Sequence, residues 1–199
     1  MTTILESLIE RFPVLACCKD DIFNSFKLIE RCYENGGKLL VCGNGGSAAD
    51  ADHIVGELMK GFLLPRKIEA QNEILSHLQG GLPAISLCAH SGLITAFSND
   101  CDFEYIFAQQ VYAYSLNNKN DVLLALSTSG NSVNVVKAVQ TANEIGINSV
   151  AVTGKNDSKL SKTATACVKL PETETYKIQE LTLPVYHCLC AMLEKRFFG

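Results

Sequence analysis

The chain has 199 residues, of which 47% are hydrophobic and 19% are charged. This length and composition suit one domain with a sizeable core. The net charge of −4 excludes the basic surface with which proteins bind nucleic acid or anionic membranes, and no apolar stretch approaches the roughly 20 residues of a membrane span. An anionic substrate therefore has to be held by local geometry.

Nine cysteines are scattered along the chain without a CxxC pair. Their odd number and the lack of a secretory signal peptide favour reduced thiols and a cytoplasmic location. Because several of them lie in apolar runs, we expect inert, buried thiols.

The first 35 residues carry apolar residues at helical spacing, interrupted near Pro13, which predicts two amphipathic helices. Short runs of Val, Leu and Ile then alternate with helical stretches, and such runs are typical of strands buried on both faces of a parallel sheet. The strands are predicted at 38–42, 83–89, 121–127, 149–153 and 167–170, and the later helices at 47–62, 103–116, 133–145 and about 176–197. This rhythm predicts an α/β fold, a three-layer doubly wound parallel sheet of about five strands.

Ligands of such sheets bind at the carboxyl ends of the strands, and the first strand ends in a glycine-rich turn. Asn44, Gly45, Gly46 and Ser47 follow this strand directly and precede a helix. Glycine permits close backbone approach, and a helix start offers free N–H groups to an anion. The same pattern also occurs in turns that only connect a strand to a helix.

The third strand ends in a hydroxyl-rich segment, Ser127-Thr-Ser-Gly-Asn-Ser132. One serine would suffice to cap the following helix, and the segment holds more hydroxyls than capping needs. Hydroxyls and helix N–H groups together form a neutral donor cup that suits a phosphate. Neither loop has the lysine of a nucleotide P-loop, and the GxGxxG pattern is missing, so a nucleotide is disfavoured.

Four further polar side chains form two pairs, and the spacing of each pair places both members on one face of a helix. His53 and Glu57 are one turn apart after the first loop, and Gln179 and His187 are about two turns apart on the last helix, although Pro184 disturbs their phase. The four could converge as metal ligands or as acid and base. Alternatively, His53 and Glu57 form an ordinary surface pair and His187 is a core histidine.

Taken together, these segments resemble the sugar isomerase (SIS) domain family and, within it, the phosphoheptose isomerases. The motifs that carry the resemblance are collinear over most of the chain: Cys42-Gly-Asn-Gly-Gly-Ser-Ala-Ala-Asp-Ala-Asp-His53, Glu57-Leu58, Asn99-Asp100, Ser127-Thr-Ser-Gly-Asn-Ser132, Thr153-Gly-Lys155 and Ile178-Gln-Glu180 with His187. The resemblance implies one flavodoxin-like SIS domain over residues 1–199, with N-terminal helices (1–35) used in oligomerisation. It also implies a homotetramer with active sites at subunit interfaces.

The resemblance further implies an aldose–ketose isomerase that interconverts sedoheptulose 7-phosphate and D-glycero-D-manno-heptose 7-phosphate through an enediol(ate). Glu57 would be the general base and His187 its acid–base partner. The sugar phosphate would be bound by Asn44, Gly45, Gly46, Ser47, Asp100, Ser127, Thr128, Ser129, Ser132 and Gln179. One zinc ion per active site, as in some family members, would be held by His53, Glu57, Gln179 and His187.

Two non-catalytic functions occur for the same domain: a regulator that binds a replication initiator protein, and a module that senses a phosphosugar. Neither requires an acid–base pair, so the presence of both Glu57 and His187 favours an enzyme.

The chain departs from the family pattern in three places. Met59-Lys60-Gly61 stands where an arginine is usual, and Tyr176 where an acidic residue is usual. The link at 67–82 is longer than the usual one by about a dozen residues. Within it, the run 69–75 could be a short helix over the site, or the whole link could be a surface insertion without function. These departures leave the identity of the sugar open.

Overall fold

Strands and helices alternate through the part of the chain that the computed structural model describes, residues 2–70 and 72–199. The strands are β1 (Leu39–Cys42), β2 (Ala84–Ser86), β3 (Val122–Leu126), β4 (Asn148–Thr153) and β5 (Ala166–Lys169). The helices are α1 (Thr2–Arg11), α2 (Lys19–Glu34), α3 (Gly46–Met59), α4 (Glu73–Ser76), α5 (Ser91–Asp100), α6 (Ile106–Ser115), α7 (Val133–Ile145), α8 (Lys159–Thr163) and α9 (Thr175–Phe198), with 3₁₀ turns at Pro13–Cys18 and Phe103–Tyr105.

The strands form one parallel sheet in the order β2-β1-β3-β4-β5. Both faces are covered, since every residue of β1 and β3 is buried. Successive strand residues point to opposite faces, so that Leu39 and Val41 pack with α1, α2, α3 and α9, whereas Leu40 and Cys42 pack with α6 and α7. The predicted three-layer, doubly wound fold is confirmed.

This strand order puts a topological switch point between β1 and β3. From β1 the chain moves outward to β2, and then returns across β1 to β3. The last residue of β1, Cys42, is in register with Ala125 near the end of β3. The glycine-rich loop after β1 and the hydroxyl-rich loop after β3 therefore meet at the crevice where ligands of such folds bind.

Several local features differ from the sequence-based expectation. Helices α5 and α8 were not predicted, because both are short and α5 buries none of its residues. The short helix expected at 69–75 is α4, which covers Glu73–Ser76 and is also fully exposed. The expectation of buried thiols is wrong for Cys17 and Cys101, which are exposed.

Within the described ranges, no helix combines the length and the apolar character that a membrane span needs.

Candidate active site

The starts of α3 and α7 face the crevice at the switch point without a side-chain cap. The capping position of α3 is Gly45, with a positive φ of 57°, and that of α7 is Ser132, whose side chain makes no capping hydrogen bond. The Ser132 hydroxyl accepts instead from the hydroxyl of Ser127, at 3.1 Å. Capping therefore does not explain the serine-rich loop, and the positive dipole ends of two helices remain open to an anion.

The loop after β3 is shaped by one glycine and opens onto a cavity. Gly130 has a φ of 64°, and a Cβ at this position would collide with the side chain of Ser158. Beside the loop lies a cavity of about 350 Å³, whose lining includes Thr128, Ser129 and Lys155. Two of the predicted phosphate ligands, Thr128 and Ser129, thus border a polar cavity with a lysine in its wall.

A reciprocal pair of side-chain amides joins the loop after β1 to the first turn of α7 across the switch point. Asn44 and Asn134 each donate their amide to the other's side-chain oxygen, with both distances at 2.9 Å. Asn134 is buried and also accepts from its neighbour's backbone N–H. This pair occupies the amide of Asn44. The predicted contact between Asn44 and the sugar would therefore require the pair to open. Sequence reasoning missed Asn134, although an asparagine on an otherwise apolar helix face is a usable signal.

The predicted base, Glu57, lies among polar partners near the end of α3. Its carboxylate is 3.1 Å from Nε2 of His53 and accepts from Nζ of Lys60 at 3.2 Å. The Glu57 side chain is only 14% exposed, whereas those of His53 and Lys60 are largely exposed. The alternative of an ordinary exposed surface pair therefore does not describe Glu57.

His187 packs directly against this cluster. The ring centroids of His53 and His187 are 5.1 Å apart, in an edge-to-face arrangement. Nε2 of His187 is buried and has no hydrogen-bond partner. Burial and then the neighbouring His53 lower the pKa of His187, although Glu57 opposes this shift. At neutral pH the imidazole is therefore uncharged, which suits a group that takes up and releases a proton.

Two further predicted side chains, Gln179 and Asp100, lie away from Glu57 and His187. The amide of Gln179 lies against Gly46, where a side chain would displace it. About 12 Å of helix separate Gln179 from His187 along α9. Asp100 ends α5, is exposed, and accepts from its neighbour Asn99 at 2.8 Å; within the described ranges no hydrogen bond joins it to either loop.

A metal ion would find suitable donors beside Glu57. His53, Glu57 and His187 offer the nitrogen and oxygen atoms that zinc prefers, and the unpartnered Nε2 of His187 is a donor that a metal would satisfy. In residues 2–70 and 72–199 no group of three or more His, Cys, Asp or Glu side chains is already arranged around one point. The donor atoms are of the types that zinc prefers, and the three side chains would have to move closer together to bind the ion.

A buried ion pair, not foreseen from the sequence, holds the turn that follows α3. The Glu194 carboxylate accepts from Nε of Arg66 at 2.7 Å and from the backbone N–H groups of residues 62, 63 and 64. Arg66 in turn donates to the carbonyls of Leu58 and Glu57, at 2.7 and 3.1 Å. The guanidinium therefore caps the end of α3 beside the candidate base.

The chain is similar to proteins of known family over most of its length. The model of the SIS domain family matches residues 14–154. The phosphoheptose isomerase of Rhodospirillum rubrum is 37% identical over 183 residues, which are 92% of this chain and 89% of that protein. The phosphoheptose isomerase of Helicobacter pylori strain P12 is 39% identical over 173 residues, 87% of this chain and 82% of that protein.

A solved structure is similar as well. The phosphoheptose isomerase of Francisella tularensis superimposes with a TM-score of 0.79 at 32% identity, covering 98% of this chain and 96% of that one. The agreement extends over nearly the whole length of both chains. The chain therefore belongs to the SIS domain family and, within it, to the phosphoheptose isomerases.

Proposed function

We propose that the protein isomerises a sugar phosphate between ketose and aldose forms, and that its substrate is sedoheptulose 7-phosphate, converted to D-glycero-D-manno-heptose 7-phosphate. One observation carries the proposal. Two uncapped helix starts and a hydroxyl-rich loop meet at the switch point, and the same helix α3 leads from there to a carboxylate–imidazole pair. Part of the anion site and the candidate base are thus built on one helix.

The separation of the two sites favours a long substrate. Ser47 at the start of α3 and Glu57 near its end lie about 15 Å apart along the helix axis, and the Cα–Cβ bond of Glu57 points back toward the anion site. With about 1.5 Å for each C–C bond, a triose phosphate is far too short to reach both groups. The separation therefore favours a longer sugar phosphate, such as the seven-carbon substrate.

The reaction follows from Glu57 near the end of α3 and from His187 on α9, whose ring packs against that of His53. The Glu57 carboxylate removes the proton next to the substrate carbonyl and returns it to the neighbouring carbon. The uncharged His187 moves the oxygen proton between the two adjacent oxygens. Ser47, Ser127, Thr128, Ser129 and Ser132 hold the phosphate, together with the N–H groups of α3 and α7, while Asn44, Asp100 and Gln179 contact the sugar.

Zinc binding is a second part of the proposal. When bound, zinc would polarise the substrate oxygens as a Lewis acid. His53, Glu57, Gln179 and His187 would hold the ion, and Gln179 would have to leave its contact with Gly46. The unpartnered Nε2 of His187 supports this assignment.

We also propose a homotetramer whose sites are completed at subunit interfaces. Helix α5, which ends at Asp100, buries none of its residues within the chain. A groove of about 720 Å³, lined mainly by α1 and α9, includes His187 in its wall. Packing of a second subunit on them would bury both surfaces. A monomer in light scattering at micromolar concentration would contradict this assembly.

A cytoplasmic location is supported by the nine cysteines, all of which are free thiols, with most of them buried or half-buried. Such thiols persist in a reducing compartment.

The activity is tested by incubating the protein with a panel of ketose phosphates, from three to seven carbons, in deuterated water. We expect deuterium incorporation next to the carbonyl and aldose formation with the seven-carbon substrate, followed by NMR. Glu57→Gln keeps the shape of the side chain and removes the base, so both signals should disappear. No exchange with any sugar phosphate would refute the enzyme, and full activity of Glu57→Gln would refute the base.

A further inference from the structure

Tyr186 lies behind the candidate acid–base cluster and connects it to the body of α3. Its side chain is buried, with 2% of its surface exposed. Its hydroxyl is 2.9 Å from Nδ1 of His53 and donates to Oδ1 of Asp50 at 3.3 Å. The three side chains come from α3 and α9, and the hydroxyl links the other two.

This contact determines how the imidazole of His53 is oriented. Because the Tyr186 hydroxyl donates its proton to Asp50, it accepts from Nδ1–H of His53, and the opposite nitrogen Nε2 is directed at Glu57, at 3.1 Å. The ring is also confined from the side, because its centroid lies 5.4 Å from that of Tyr186 and 5.1 Å from that of His187. A hydrogen bond to one imidazole nitrogen fixes the direction in which the other acts.

We propose that Tyr186, held by Asp50, is a positioning residue of the isomerase, acting through His53 on the orientation of the Glu57 carboxylate. The inference rests on the proposed function. Its competitor is a purely structural role, in which Asp50 and His53 do no more than satisfy a buried hydroxyl. The two roles differ in what is lost without the hydroxyl: a structural role costs stability, whereas a positioning role lowers kcat.

The test compares Tyr186→Phe with Tyr33→Phe. Both changes remove one buried hydroxyl and keep the ring, but the Tyr33 hydroxyl has no partner and lies outside the site. With sedoheptulose 7-phosphate at a fixed zinc concentration, Tyr186→Phe should lower kcat about 10- to 100-fold, the range for lost outer hydrogen bonds at such sites. Its KM and melting temperature should stay close to those of the wild type, and Tyr33→Phe should leave kcat unchanged.

A second comparison uses Asp50. Asn keeps an oxygen that accepts from Tyr186, whereas Ala does not, so Asp50→Asn should retain more of kcat than Asp50→Ala. In a double-mutant cycle, Tyr186→Phe should cost little once His53 is replaced by Asn, because the residue through which it acts is gone. Long incubations in deuterated water extend the measurable range for the slow variants.

The outcomes separate the inference from the function on which it rests. If the wild type does not isomerise the substrate, the proposed function fails. If the wild type is active and Tyr186→Phe keeps its kcat, or raises only KM, the positioning role is refuted and the function stands. Fully additive losses for Tyr186→Phe and His53→Asn would also refute it.

Discussion

The buried pair of Arg66 and Glu194 is expected to be among the most sensitive points of the fold. Glu194→Gln is the sharpest perturbation, because it keeps the size of the side chain and removes its charge. The carboxylate is 1% exposed and serves four donors, namely Nε of Arg66 and the N–H groups of residues 62–64. A glutamine has one acceptor oxygen, and its NH₂ group would face donors. The guanidinium would remain buried without a counter-charge.

Breaking one partner of a buried ion pair costs about 3–5 kcal/mol of unfolding free energy. For a chain of this length each kcal/mol lowers the melting temperature by about 2–4 °C, so we expect a fall of roughly 6–20 °C. Thermal and urea unfolding followed by circular dichroism measure the loss. Glu6→Gln makes the same chemical change at an exposed pair, Glu6–Lys19, and should leave unfolding unchanged within error.

The pH dependence of the unfolding free energy gives a second test of Glu194→Gln. Burial alone would raise the pKa of Glu194, but hydrogen bonds from Phe62, Leu63 and Arg66 hold it below its usual value. A carboxyl group with a lowered folded pKa stabilises the protein fully above its unfolded pKa, about 4.3, and loses this contribution as the pH falls through the folded pKa. The difference between wild type and Glu194→Gln should therefore be constant near neutral pH and shrink in acid. A variant within 1 kcal/mol of the wild type at neutral pH would refute this account of the pair.

Three further changes probe the anion site and the metal. Gly130→Ala places a methyl group at a φ of 64° and against Ser158, so KM for the sugar phosphate should rise at least several-fold while α7 stays folded by circular dichroism; an unchanged KM would exclude this loop from phosphate binding. Asn134→Ala leaves the amide of Asn44 without its partner, which should cost about 1–3 kcal/mol in urea unfolding and also change KM, whereas a purely structural pair would change stability alone. Metal analysis should find one zinc per chain in the purified protein and none in His53→Ala, and zinc that remains bound to His53→Ala would overturn the ligand assignment.

The fold could be predicted from the sequence because its signals are local. Each strand is a short apolar run with no alternation, and β3 (Val122–Leu126) was bounded to within one residue at each end. Helix α7 (Val133–Ile145) was predicted with its observed bounds. Helix α5 (Ser91–Asp100) was not predicted because none of its residues is fully buried, and its Ile94 and Phe97 pack only half-buried against the core. A helix with such a shallow buried face has a weak form of the period on which prediction depends.

The candidate site was only partly predictable, since its supporting contacts join distant segments. His53 and Glu57 share one helix face, and their spacing reveals the pair. Tyr186, in contrast, lies in an apolar run where an aromatic residue is normally core, and its partners are more than 130 positions away in the chain. Glu194 stands beside Lys195 and Arg196 and has the look of a surface charge. No local pattern distinguishes such residues from ordinary ones.

These supporting contacts have one element in common, because α9 touches α3 at its start, its middle and its end. The amide of Gln179 lies against Gly46, Tyr186 holds His53, and Glu194 holds the turn after α3 through Arg66. The helix remains continuous through Pro184, from Thr175 to Phe198, so the backbone positions of Gln179, Tyr186 and Glu194 keep a fixed spacing. Two helices joined in this way resist sliding past each other, and the placement of His187 on α9 beside Glu57 on α3 is then set by packing in the core. The same contacts that stabilise the fold therefore hold the candidate base next to its acid–base partner.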